Sequence, residues 1–204
     1  MLGFLLTTTL LAAQSSPTDP IFLEDRGLEM VVRRRFYGIE GRNFSQAQTN
    51  VFARQLGYPW AASTSYNISA EWYLEETEAG CELTSAFLSS HLTIELPHWV
   101  NVQDASRRSQ RQWQELSTRI QTHEHGHVNL AFYGMARARD LLEALPPAEN
   151  CDRMAEIAGE TVEGAQDWTR RNQREYDRLS DHGQDQDAVT DWVPHDDAVG
   201  RLPE

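Results

Sequence analysis

Apolar residues recur along this chain with two different periods, one in each half. Between residues 28 and 99 the dominant period is two. Tyr66, Ile68, Ala70, Trp72 and Leu74 fall on one side of an extended stretch, as a half-buried strand requires. Residues 28–41 read as one or two strands ending at Gly41, and residues 81–99 as one long strand or a bent pair closed by Leu96-Pro97. A hairpin between residues 66–76 and 81–96, turning at Glu78-Ala79-Gly80, is the natural pairing. Residues 45–57 interrupt the strands with helical spacing: Ser45 is the candidate N-cap, Val51, Phe52 and Leu56 the apolar face, and Gly57 the stop.

From about Asp104 the period lengthens. Trp113, Leu116, Ile120, His123, His127, Leu130, Gly134, Ala138, Leu141 and Leu145 step by three and four up to Pro146-Pro147, which marks one long helix. A second helix is expected from Asp152 to about Arg178, with Met154, Ile157, Ala158, Val162, Ala165 and Trp168 inward. Strands first and helices afterwards predict an α+β fold: an N-terminal antiparallel sheet with one short helix, packed on a long helix and a second C-terminal one. Residues 28–190 form the expected single domain, and residues 191–204 an irregular tail rich in Asp and Pro. Arg33-Arg34-Arg35 reads as a solvated strand face.

Length and composition narrow the class. A chain of 204 residues suits one domain with tails. Its 18 basic and 31 acidic residues give a net charge of −13, which disfavours nucleic acid as a partner. The apolar run from Leu2 to Ala13, followed by small polar residues, resembles a secretory signal peptide over residues 1–18, although no Lys or Arg precedes it. It is too short for a permanent membrane span. Export to the periplasm or beyond is therefore expected, and in that setting the only two cysteines, Cys81 and Cys151, favour one disulfide.

The candidate chemistry lies in the long helix. Residues 122–128, THEHGHV, contain the pattern His-Glu-x-x-His. On a helix His123 and His127 lie about 40° apart, so both imidazoles reach one Zn²⁺ ion, while Glu124 flanks the metal and is placed to take a proton from a metal-activated water. His125 falls about 200° from His123 and faces away. Both ligand histidines sit within the apolar stripe, between Ile120 and Leu130, and Gly126 leaves room for a close neighbour. Two satisfied core histidines are the plain alternative. An open catalytic centre needs a third protein ligand. Glu149, Glu156, Glu160 and Glu163 are candidates on or before the next helix, and His182, followed by Gly183 in a polar loop, is another.

These residues carry a wider resemblance. The set Tyr37-x-Ile39-x-Gly41, a Trp-containing strand, Gly80-Cys81, Leu96-Pro97-x-Trp99, Trp113, His123-Glu124-x-Gly126-His127, Cys151 and Tyr176-Asp177…His182-Gly183 resembles the domain of unknown function 922 family over roughly residues 30–190. That family comprises bacterial, mostly exported proteins usually described as Zn-dependent proteases. The resemblance implies that Cys81 and Cys151 pair and that His182 closes the ligand set. Ser180 and Asp187 stand where the family usually has Thr and Gly.

The resulting expectation is an exported zinc metallohydrolase acting on peptide or protein substrates, with Glu124 as general base. Tyr176 is a candidate oxyanion donor, its alternative being a buried structural tyrosine. Two other functions stay open: a non-catalytic metal-binding or interaction protein of the cell envelope, and a zinc amidase acting on peptidoglycan.

Overall fold

The computed structural model describes residues 21–25, 27–53, 61–189 and 194. The expected leader over residues 1–18, the helix stop at Gly57 and the tail from residue 191, Pro194 apart, lie outside the described residues. In chain order the elements are β1 (Ile21–Asp25), β2 (Leu28–Ile39), α1 (Phe44–Ala53), β3 (Ser63–Thr77), β4 (Gly80–Trp99), α2 (Arg107–Glu143) and α3 (Cys151–Leu179), with short 3₁₀ turns at Val102–Asp104 and Gln186–Val189. Among the described residues no helix is long and apolar enough to cross a membrane.

The fold is α+β, but its sheet is mixed rather than antiparallel. Strand order is β1-β2-β4-β3. The β3–β4 hairpin is antiparallel, as the Glu78-Ala79 turn leads one to expect, whereas β2 and β4 pair in parallel from Leu28↔Leu88 to Ile39↔Trp99. The physical reason is the placing of the hairpin. The chain returns through α1 and enters β3 antiparallel to β2, and the hairpin then seats its second strand, not its first, against β2. A local hydrophobic pattern fixes which face is buried but not which strand becomes the neighbour. Strand β4 also runs on through Leu96-Pro97 to Trp99. Proline is tolerated there because the last β3 pair is Ser63↔Glu95, so Pro97 lies beyond the doubly paired stretch.

Alternation along β3 follows the pattern in the sequence. Thr64, Tyr66, Ile68, Ala70, Trp72 and Leu74 are half-buried and their odd-numbered neighbours exposed. Leu28, Met30 and Val32 of β2 with Leu88, Leu92, Ile94 and Leu96 of β4 make the inner face of the sheet. Against it pack Trp113, Leu116, Ile120, Ala131, Met135, Ala138 and Leu142 of α2, joined by Ala158, Val162 and Ala165 of α3. Both helices begin at side-chain caps, with Ser106 accepting from the Ser109 amide and Asn150 from that of Arg153. Cys81 and Cys151 form a disulfide joining the start of β4 to the start of α3, beside the backbone bridge between Cys81 and Ala148.

Helices α2 and α3 run antiparallel and touch closely. A Cβ on Gly134 would overlap the Thr169 hydroxyl, and one on Gly126 would overlap the Tyr176 ring. These two absences of a side chain set the height of α3 against α2, and that register decides what faces the His-Glu-x-x-His turn.

Candidate metal centre

Three donor atoms converge between the helices. His123 Nε2 lies 3.1 Å from Asp177 Oδ1, His127 Nε2 lies 3.0 Å from the same oxygen, and the two Nε2 atoms are 3.1 Å apart. The i, i+4 spacing on α2 supplies the two imidazoles, and Asp177, one turn beyond Gln173 on α3, supplies the carboxylate.

Hydrogen bonding fixes what those atoms offer. Gln173 Nε2 donates to the His127 carbonyl at 3.0 Å, so its Oε1 is the atom facing His127 Nδ1, which must therefore carry the hydrogen. Ser180 uses its single hydroxyl hydrogen on the Tyr176 carbonyl at 2.8 Å, so toward His123 Nδ1, 3.3 Å away, it accepts. Each ring thus spends its Nδ1 hydrogen on a neighbour and turns an Nε2 lone pair inward. Two imidazole lone pairs and a carboxylate oxygen about 3 Å apart call for a cation between them. A tetrahedral ion with bonds of about 2.0–2.1 Å sets its ligands about 3.3 Å apart, close to the triangle seen here. Two nitrogens and one oxygen suit a transition metal better than Ca²⁺ or Mg²⁺, which take mainly oxygen. His123, His127 and Asp177 are therefore positioned as a metal site.

The charges agree with that reading. Where no metal takes the Nε2 lone pairs, hydrogens there can stand in for it: burial alone would raise the Asp177 carboxyl, but hydrogen bonds donated by the imidazoles of His123 and His127, with the charge such rings carry, hold it well below the usual carboxylate range. Burial would lower His127, yet the hydrogen bond and charge of Asp177 raise it, so a proton and a metal compete for its Nε2.

Glu124 is buried at 4 % exposure and sits in the same cleft, against the sheet. Its Oε2 accepts from Thr64 Oγ1 at 2.6 Å, which ties the start of β3 to the middle of α2. Burial pushes the carboxyl up, against the lowering effects of Thr64 and the two histidines. His125 is exposed, as the helix phase requires.

Position three of the donor set goes to Asp177, a residue the sequence reading quoted but did not assign. His182 stands beside the centre with its Nδ1 3.5 Å from Asp177 Oδ1 and lines the cleft, outside the converging triad. Asp181, His182 and Gly183 all have positive φ, so the chain doubles back after α3 and lays Gly183 against the His123 ring. Burial lowers His182 in spite of the nearby carboxylate. Glu149 precedes α3 and Glu156, Glu160 and Glu163 lie in its first half; even Glu163, the nearest, is 14 residues from Asp177, about 21 Å along a helix. Tyr176 stacks on His123 with ring centroids 5.0 Å apart and accepts from Gln186 Nε2 at 2.7 Å, its hydroxyl lying over Gly126 in a separate hollow behind α2. Its position is that of a buttress for His123.

The sequence reading missed Asp177, Gln173, Ser180 and Thr64. Thr64 had a usable signal, since it shares the buried parity of Tyr66 and Ile68. Asp177 had none, since its role depends on where α3 lies against α2.

Fold and site together define an α+β protein with a candidate metal centre on a His-Glu-x-x-His helix. The chain belongs to the family described as bacterial protein of unknown function (DUF922), whose match covers residues 34–183 and so takes in β4, both long helices and every donor. No curated protein and no solved structure matches it.

Proposed function

We propose that this protein is an exported zinc-dependent hydrolase of peptide bonds. One observation carries the reading: both imidazoles have their Nδ1 hydrogens committed, so two Nε2 lone pairs and Asp177 Oδ1 meet at about 3 Å with Glu124 in the same cleft. His123, His127 and Asp177 would hold the ion, and His182 lines the cleft beside Asp177. Bound zinc supplies Lewis acidity, polarising a carbonyl and lowering the pKa of water toward neutrality. Glu124 takes the proton of the attacking water and passes it to the leaving amine. Its raised carboxyl makes it a better proton acceptor than an exposed glutamate, and Thr64 keeps Oε2 fixed while the other oxygen works. Gln173, Ser180 and the Tyr176 ring hold the imidazoles in place. Export is supported by the apolar run from Leu2 to Ala13 and by the disulfide, a bond that persists in oxidising compartments.

The test is zinc analysis together with cleavage of a peptide library by wild type and Glu124→Ala. The expected result is one zinc in both proteins and cleavage by wild type alone. Unchanged cleavage by the variant would sink the mechanism. Zinc without cleavage in either protein would favour a structural metal site, and selective attack on peptidoglycan would move the substrate to a cell-wall amide.

A further inference from the structure

Attack on a peptide carbonyl drives negative charge onto its oxygen, and none of the side chains assigned so far gives that oxygen a hydrogen bond. Tyr176 lines a separate hollow behind α2 rather than the cleft. The cleft itself encloses about 200 Å³, room for the reacting bond and its immediate neighbours. A donor to the carbonyl oxygen must therefore come from the few groups that line it.

Most of the polar side chains there have their hydrogens committed. Thr64 donates to Glu124 at 2.6 Å, Gln173 holds His127 by both ends of its amide, and Ser180 accepts from the His123 ring. Tyr66 differs. It lies two residues beyond Thr64 on β3, about 7 Å along the strand, with the same inward parity. It lines the cleft together with His123, Glu124 and His127. Although half-buried, its hydroxyl makes no hydrogen bond among the described residues. Tyr37 and Tyr176, the other described tyrosines that are not exposed, have theirs bonded to Ala61 and Gln186. Burial raises the Tyr66 hydroxyl above the ordinary tyrosine value, so it keeps its hydrogen through the neutral range. A half-buried hydroxyl without a partner gives the fold nothing that a phenyl ring would not, and its use lies with whatever enters the cleft.

We propose that Tyr66 is a catalytic residue, its hydroxyl donating to the carbonyl oxygen of a peptide bond held between β3 and the donor centre. The hydrogen stays on the phenol throughout. Its bond to the oxygen shortens as charge gathers there and relaxes when the carbonyl re-forms and the amine leaves. Strand β3 then serves both partners of the reaction, Thr64 holding the base and Tyr66 meeting the charge. The inference rests on the hydrolase reading given above.

Its test separates the two. The full zinc-loaded chain, as wild type, Tyr66→Phe and His182→Ala, is titrated calorimetrically with a blocked phosphinic pseudopeptide of alanine, whose tetrahedral anion stands in for the attacked carbonyl. Tyr66→Phe keeps the ring, so it should keep its zinc and unfold at the same denaturant concentration as wild type or a higher one. It should bind the pseudopeptide about 10–100-fold more weakly, with His182→Ala losing less. On any peptide that wild type cleaves, it should lower kcat about 100-fold at little-changed KM. Equal binding by wild type and Tyr66→Phe, no binding by wild type, or a larger loss in His182→Ala overturns the assignment. So does a Tyr66→Phe chain that unfolds earlier, which would mean that the hydroxyl bonds within the fold. Weaker binding in Tyr66→Phe with no peptide cleaved by wild type keeps Tyr66 as the donor and overturns the hydrolase reading. Cleavage at unchanged kcat in Tyr66→Phe keeps that reading and overturns Tyr66.

Discussion

The two helices that build the centre contribute in opposite ways. Helix α2 gives His123, Glu124 and His127 within one and a half turns, a motif complete in itself. Helix α3 gives one donor, Asp177, and around it Gln173, Tyr176 and Ser180, none of which has meaning until α3 lies against α2. The first contribution is a matter of local spacing and the second of register. The candidate metal site is only half present on α2, and the height at which α3 crosses completes the donor set.

If that contrast is right, damage to the α3 side should be graded by how directly each residue meets the donors. The largest effect after loss of a donor is expected at the hydrogen-bond partners. Gln173→Ala and Ser180→Ala should each weaken zinc affinity by about 10–100-fold, measured by competition with a chromogenic chelator, while the fold is kept. Affinity unchanged in both would mean that α2 fixes its own imidazoles and that α3 contributes Asp177 alone.

A smaller effect falls on the register itself. Gly134→Ala sets a methyl against the buried Thr169 hydroxyl and should cost about 1–3 kcal/mol in denaturant unfolding. Thr169→Ala in the same chain should recover most of it, a coupling that distant positions do not show. A cost that Thr169→Ala leaves in place would put the strain elsewhere on α2.

Smallest is a pH effect at Glu124. Its carboxyl is raised in the folded state, chiefly by burial, so the folded protein holds that proton more tightly than the unfolded chain. The stabilisation is fully present below the unfolded pKa of about 4.3 and is lost as pH rises through the folded value. In metal-free protein at neutral pH the ionised carboxylate is therefore a burden that Glu124→Gln lacks. The variant should melt higher than wild type at pH 7, with the gap closing toward pH 4. A gap independent of pH would show that Glu124 ionises in the fold as easily as in water.

The same contrast explains what the sequence disclosed. The α+β order, the face of β3, the His-Glu-x-x-His helix and the exposure of His125 were legible because each depends on residues a few positions apart. The parallel β2–β4 pair was not, since nothing in residues 28–39 or 80–99 says which strand of the hairpin becomes the neighbour. Asp177 was hidden for a related reason. Within Glu175-Tyr176-Asp177-Arg178 it reads as helix surface, and only the Gly126–Tyr176 and Gly134–Thr169 contacts bring it opposite His127. His182 drew attention as a histidine in a loop, but Asp177 is aimed by a regular helix and needs no special turn to reach the centre.

Zinc stoichiometry in two single variants tests the central claim most directly. Wild type, Asp177→Ala and His182→Ala are each loaded with one equivalent, dialysed against a mild chelator and assayed for bound metal. With His123, His127 and Asp177 as the donors, zinc stays at about one per chain in wild type and His182→Ala and falls to near zero in Asp177→Ala. Retention by Asp177→Ala with loss from His182→Ala would contradict the assignment and give the third position to the histidine.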